Sequence, residues 1–161
     1  MIVVSDTTAI SNLVQINQLE LLEKIYRRII IPKSVHDELL ALNSFGIPIQ
    51  KILKQEWIEI KEVSSGTLLE KFLAELDQGE AEAVVLAIEL KADFLLIDEK
   101  LGRRIAKENQ IPIIGTLGIL LKSKELGLIG SVQEQMDALR NIGFWINADL
   151  YNKMLNLEKK V

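Results

Sequence analysis

The sequence predicts an α/β protein: a central parallel sheet of about five strands with helices on both faces, then a helical C-terminal extension. Three observations carry that expectation. Short runs such as Ile2-Val3-Val4 and Ile29-Ile30-Ile31 are apolar throughout instead of alternating, as strands buried on both faces are. Stretches of helical periodicity separate these runs, which is the order of a parallel sheet with crossover helices. The chain has 161 residues, 48% of them hydrophobic, which suits one packed domain.

In chain order, the expected strands are Ile2–Val4, Ile29–Ile31, Trp57–Glu62, Phe94–Ile97 and Pro112–Ile114, each short and mostly β-branched or Leu-rich. Between them, the spacing of apolar residues predicts helices over Leu19–Tyr26, Ser34–Leu42, Leu68–Leu76, Glu80–Lys91 and Lys100–Glu108. After Ile114 the pattern is helical only, near Leu117–Leu126, Val132–Asn141 and Asp149–Leu157. There is no internal repeat and no Pro/Gly/Ser-rich linker. Residues 1–161 therefore read as a single domain, with a core over about 1–115 and the helical extension over about 116–161.

Composition closes off several chemistries. Without cysteine, disulfide scaffolds, thiolate metal sites and cysteine nucleophiles are excluded. With one histidine, His36, so is a multi-histidine zinc site within one chain. No apolar run approaches the ~18 residues of a membrane span. The N-terminus enters Ile2-Val3-Val4 with no basic region or cleavage pattern before it. The expectation is a soluble, cytoplasmic protein. Net charge is −4, from 19 Lys+Arg against 23 Asp+Glu, so a polyanionic partner needs a local basic patch or a bound cation.

Two expected strands end alike, Ile2-Val3-Val4-Ser5 running into Asp6 and Phe94-Leu95-Leu96-Ile97 into Asp98. In a parallel sheet all carboxyl ends share one edge, where open α/β sheets bind ligands. Asp6 and Asp98 are then neighbours in space, although each also suits a helix N-cap. Glu38 lies beside the apolar stripe of Val35, Leu39 and Leu42, where a carboxylate either finds a partner or bends to solvent. In Asp77-Gln78-Gly79-Glu80-Ala81-Glu82, Glu82 and Glu89 fall on a polar stripe expected to be solvated, whereas Glu80 stands among apolar neighbours. Asp77 with Glu80 three residues on also resembles a capping box.

Four carboxylates from separate segments suit a hard cation with oxygen ligands, Mg²⁺ or Mn²⁺. Such a centre activates water for in-line displacement at phosphorus. Without a cation the same carboxylates repel and raise one another's pKa. A phosphatase-like hydrolase with Asp6 as nucleophile is the rival enzyme reading, and the lysine motif it needs is missing.

The sequence resembles the PIN-domain ribonucleases, the family that includes the VapC toxins of prokaryotic toxin–antitoxin pairs. The motifs that carry the resemblance are Ile2-Val3-Val4-Ser5-Asp6-Thr7-Thr8, Pro32-Lys33-Ser34-Val35-His36-Asp37-Glu38, Leu76-Asp77-Gln78-Gly79-Glu80-Ala81-Glu82-Ala83 and Phe94-Leu95-Leu96-Ile97-Asp98-Glu99. It covers Ile2 to about Ile114. The resemblance implies a three-layer α/β/α fold and a metal-dependent endoribonuclease. It puts the family's four acidic positions at Asp6, Glu38, Glu80 and Asp98, with Glu99 able to supplement Asp98. It also implies a homodimer and a small antitoxin partner. Leu96 and Ile97 depart from it, because many members carry a small polar residue before the fourth acid. That departure motivates the alternative of a PIN-fold binding module without strong cleavage.

Lys100, Arg103, Arg104 and Lys107 share one helix face by their spacing, a candidate grip on a nucleic-acid backbone or an ordinary solvated face. Leu101 and Ile105 are expected to pack inward. Thr7, Thr8 and Thr116 are candidates for positioning water or phosphate, and equally for capping. His36 is expected to face solvent beside Asp37. Aromatic residues make up only 5% and show no spacing of a stacking platform. Gly143-Phe144-Trp145-Ile146 is instead the candidate subunit interface.

Overall fold

The sheet is assembled around the strand that comes first in the chain. β1 (Val3–Ser5) pairs in parallel with β2 (Ile29–Pro32) on one side and β4 (Phe94–Leu96) on the other. β3 (Ile58–Lys61) extends the sheet beyond β2, and β5 (Ile113–Ile114) extends it beyond β4. The order is therefore β3-β2-β1-β4-β5, all parallel. The computed structural model describes residues 1–64 and 66–161.

Alternation along the strands sorts their side chains into two cores. Val3, Ile29, Ile31 and Leu96 pack on one face. Val4, Ile30, Leu95 and Ile97 pack on the other. The first face is covered by α1 (Thr7–Gln15), α2 (Glu20–Tyr26), α3 (Lys33–Leu42) and α4 (Ile49–Leu53), joined by α8 (Thr116–Glu125), α9 (Val132–Asn141) and α10 (Ala148–Glu158). The second is covered by α5 (Gly66–Leu73), α6 (Gln78–Glu89) and α7 (Lys100–Glu108). This is the expected α/β/α arrangement with its helical extension. That extension shares the first core through Ile119, Leu120, Val132, Met136 and Leu139. No helix among the described residues is long and apolar enough to cross a membrane.

Local chemistry explains the element starts. Asp6 caps α1, accepting from Ala9 N–H at 3.0 Å. Asp77 caps α6, accepting from Glu80 N–H at 2.9 Å, so that helix begins at Gln78 and not at Glu80. A 3-10 turn (Asn43–Phe45) and α4 have no counterpart in the expected elements. A helix of five residues offers too few turns for periodicity to detect. It is held by Ile49, which is fully buried.

Candidate metal centre

The strand order reverses direction between β1 and β4, which makes the crevice between their carboxyl ends the topological switch point of the sheet. Ser5 lies opposite Leu96, and Asp6 N–H donates to Leu96 C=O at 3.1 Å. Asp6 and the Ile97-Asp98-Glu99 turn thus leave the sheet side by side. β1 delivers Asp6, the turn after β4 delivers Asp98 and Glu99, and the first turn of α6 delivers Glu80. Glu38 comes from the second turn of α3.

Asp6 is 1% exposed. Its Oδ1 caps α1, while Oδ2 is buried with no hydrogen-bond partner. Burial pushes this carboxyl well above the usual carboxylate range. The Ala9 N–H draws it down, and the charges of Asp98, Glu99 and Asp77 add to the rise. Glu80 is pushed up to about 8, first by burial, then by its hydrogen bond with the Asp77 carboxyl and by the charges of Asp77, Asp6 and Glu99. The acidic groups at the switch point therefore feel one another, and a buried oxygen among them lacks a positive partner.

The other two carboxylates are held by threonines. Glu38 Oε2 accepts from the Thr7 hydroxyl. Asp98 accepts from Thr116 twice, from N–H at 2.8 Å and from the hydroxyl at 2.6 Å. Asp98 thus does not cap the helix that follows it. Glu99 occupies that position, with no side-chain cap bond, and Asp98 caps α8 from across the sheet instead. Thr7 and Thr116 are committed to these carboxylates, so neither hydroxyl is free for a phosphate as placed.

Among the described residues no group of three acidic side chains is drawn tightly enough to hold one ion. Glu38 is turned toward Thr7 and Asp98 toward Thr116. The donor set still fits a hard divalent cation: its ligand atoms are all oxygens, and Asp6 Oδ2 is an orphaned buried acceptor.

The profile of the PIN domain matches residues 2–160. The chain belongs to the PIN-domain family. Its fold is similar to that of a PilT N-terminus domain protein from the hyperthermophilic archaeon Sulfolobus solfataricus. The two share 23% identity and a TM-score of 0.58 over 76% of this chain and 93% of that one. No protein of curated function matches it. The PIN domain is a nuclease-type fold.

In this PIN domain the basic face of α7 borders the acidic crevice. Lys100, Arg103, Arg104 and Lys107 line a groove of about 590 Å³ together with Asp98 and Leu101. Two of the four cations are spent within the protein. Arg103 Nη1 donates to Ile97 C=O at 3.0 Å, and Arg104 pairs with Glu75 at 2.8 Å and Glu108 at 3.5 Å. Lys100 and Lys107 form no ion pair among the described residues. Leu101 is exposed in that groove, while Gly102, Ile105 and Ala106 form the inward face. On the helical wheel Leu101 is about 60° from Arg104 and about 120° from Lys107, so it flanks the basic stripe.

Several residues at this site were not singled out from the sequence. Asn12 is buried and reaches toward Asp98 Oδ2 at 3.5 Å. Its signal was an amide on the apolar side of α1, among Ala9, Ile10 and Leu13. Gly79 packs against Glu38: a Cβ there would lie 2.5 Å from Oε2. Glu82 departs from the expected solvated stripe. It is 9% exposed and accepts from Gln78 Nε2 and from Ser34 N–H at 3.4 Å. The stripe is covered because α3 packs against α6, a contact that periodicity within one helix does not encode. His36 is half-buried, beside Asp37 at 3.4 Å.

Proposed function

We propose that this PIN domain is a divalent-metal-dependent endoribonuclease in which Asp6, Glu38, Glu80 and Asp98 form the acidic centre and Glu99 supplements it. The observation that carries the reading is the buried, unpartnered Oδ2 of Asp6 at the switch point, among carboxylates whose charges add to the raised pKa of Asp6 and of Glu80. A cation would be held by Asp6, Glu80 and Asp98 at the crevice, with Glu38 reaching it from α3. Bound Mg²⁺ or Mn²⁺ supplies Lewis acidity and a more acidic water. The chain's own residues do the rest. Thr116 and Thr7 fix the directions of Asp98 and Glu38. Burial raises the pKa of the Asp6 and Glu80 carboxyls, and a cation held between them would favour their ionised forms. Lys100 and Lys107 neutralise phosphates that flank the cleaved one, with Arg103 and Arg104 behind them.

The alternative is a binding module with little turnover, favoured by Leu96 and Ile97, both fully buried and apolar just before Asp98. A homodimer and a small antitoxin partner belong to the nuclease proposal. A small open reading frame beside the gene, whose product co-purifies with the protein, supports the partner.

The deciding experiment is cleavage of mixed structured and single-stranded RNA with Mn²⁺ or Mg²⁺ by the wild type, Asp6→Asn and Asp98→Asn, purified in parallel. Metal-dependent cleavage lost in both variants supports the nuclease. Equal cleavage by all three signals a contaminant. Folded wild-type protein that binds metal and RNA without cleaving supports the binding module.

A further inference from the structure

Trp145 is 80% exposed, yet the turn that carries it is firmly built. Gly143, with φ +94°, ends α9. Gly143 N–H donates to Arg140 C=O at 3.1 Å and Phe144 N–H to Leu139 C=O at 3.0 Å, the paired bonds of a Schellman cap. On the far side, Ile146 is buried, its C=O accepts from Arg140 Nη2 at 2.7 Å, and Asn147 caps α10. The indole is therefore held out in water by a turn pinned at both ends. An exposed tryptophan on a pinned turn is a preformed apolar surface.

Its place relative to the acidic crevice gives that surface a use. Phe144 and Trp145 line one groove with Asp98 and Arg103, and a second with Thr8, Asn12, Asp98 and Glu99. Asp98 also borders the α7 groove that holds Lys100 and Lys107. Aromatic surface, carboxylates and free cations thus lie in sequence across one face, with Asp98 common to all three. A single-stranded nucleic acid carries the matching set, phosphates for the lysines and unpaired bases for the indole. An apolar protein surface closing over Trp145 would instead take Asp98 and Glu99 out of water without neutralising them.

We propose that Trp145 is a stacking platform for an unpaired base of the RNA substrate, flanking the phosphate that would lie at Asp98. This rests on the nuclease reading and adds a substrate-contacting residue to it. A duplex keeps its bases stacked inside and offers no face to the indole.

The test uses the full chain carrying Trp57→Phe, which leaves Trp145 as the sole tryptophan. An RNA single strand of about ten nucleotides, within the usual site size, is titrated in Ca²⁺ to permit binding with little or no turnover. Trp145 emission is quenched by the single strand and not by the matching duplex. In anisotropy measurements Trp145→Ala weakens binding by about tenfold, the scale of one aromatic–base stack, while Trp145→Phe stays within about threefold. Unchanged emission with equal affinity in Trp145→Ala overturns the platform. So does a shift of Trp145→Ala from dimer to monomer in sedimentation with RNA affinity intact, which would make the residue a subunit contact. Quenching by RNA that the Mn²⁺ protein never cleaves keeps the platform and removes the nuclease. Cleavage by a protein whose Trp145 is silent does the reverse.

Discussion

Thr116 grips Asp98 with both of its donors, the backbone N–H at 2.8 Å to Oδ1 and the hydroxyl at 2.6 Å to Oδ2. The pair joins the turn after β4 to the first turn of α8, so a carboxylate at the switch point takes its direction from a helix in the C-terminal extension. Thr7 does the same for Glu38. Each threonine is the first residue of its helix, where a hydroxyl points back toward the sheet edge.

Thr116→Val keeps the backbone donor and deletes the hydroxyl. One neutral-to-charged hydrogen bond is lost, at about 1–2 kcal/mol, which lowers Tm by about 3–6 °C for a chain of this size. Metal-supported cleavage falls by about 10–100-fold, as for other groups that orient a ligand. Thr116→Ser restores most of both. Thermal melts beside cleavage rates check this, and a loss of stability with unchanged cleavage would detach Asp98 from the reaction.

Glu80 supplies a pH dependence whose sign is fixed by its raised pKa. Its carboxyl titrates near about 8 in the fold and near 4.5 when unfolded, so between those values the folded state holds more protons. The stability this contributes is complete below about pH 4.5 and is lost as pH rises through about 8. In EDTA, Tm is expected to fall between pH 6 and pH 8 in the wild type, and to fall less in Glu80→Gln. Cation binding displaces the proton, so Mn²⁺ affinity by calorimetry rises over the same interval, by at most about tenfold per pH unit for each proton released.

Asp6→Asn separates function from stability. The amide still offers an oxygen to Ala9 N–H and removes a buried group that is costly to ionise. The expected outcome is loss of Mn²⁺ binding and of cleavage, with a cation-free Tm equal to or above that of the wild type at pH 8. A large drop in Tm would assign Asp6 to the scaffold alone.

Gly79→Ala probes Glu38 through sterics. The new Cβ would meet the end of a flexible side chain at 2.5 Å, so Glu38 moves and the backbone stays. Alanine favours helix over glycine by about 0.5–1 kcal/mol, offsetting the lost Thr7 bond. Tm is expected to shift by less than about 3 °C while cleavage falls by about tenfold. Unaltered cleavage would remove Glu38 from the acidic centre.

Lys100 and Lys107 differ from Arg103 and Arg104 in having no side-chain hydrogen bond or ion pair among the described residues. Replacing each with glutamine lowers the slope of log affinity against log salt for single-stranded RNA by about 0.7. Arg104→Gln changes it less, because Arg104 is already occupied by Glu75 and Glu108. Binding isotherms at three salt concentrations decide the matter.

The layered fold was legible in the chain because burial on both faces leaves a local mark: Ile29-Ile30-Ile31 has no polar register to offer, and its neighbours are helical by period. The PIN motifs likewise marked Asp6, Glu38, Glu80 and Asp98 as a set. What the sequence by itself determined were these short-range quantities, the elements and the residue types at their ends. Tertiary structure alone decided which partners those ends meet. Thr116 lies 18 positions from Asp98 and meets it because β5 pairs with β4, whereas Trp145 lies farther still and is brought there by the packing of the C-terminal helices. Glu82 is buried because α3 lies on α6, and the shorter of the two ion pairs of Arg104 exists because Glu75 stands opposite. Periodicity reports which side of an element faces inward. Contacts between elements distant in the chain depend on strand order and packing, so no single segment records them.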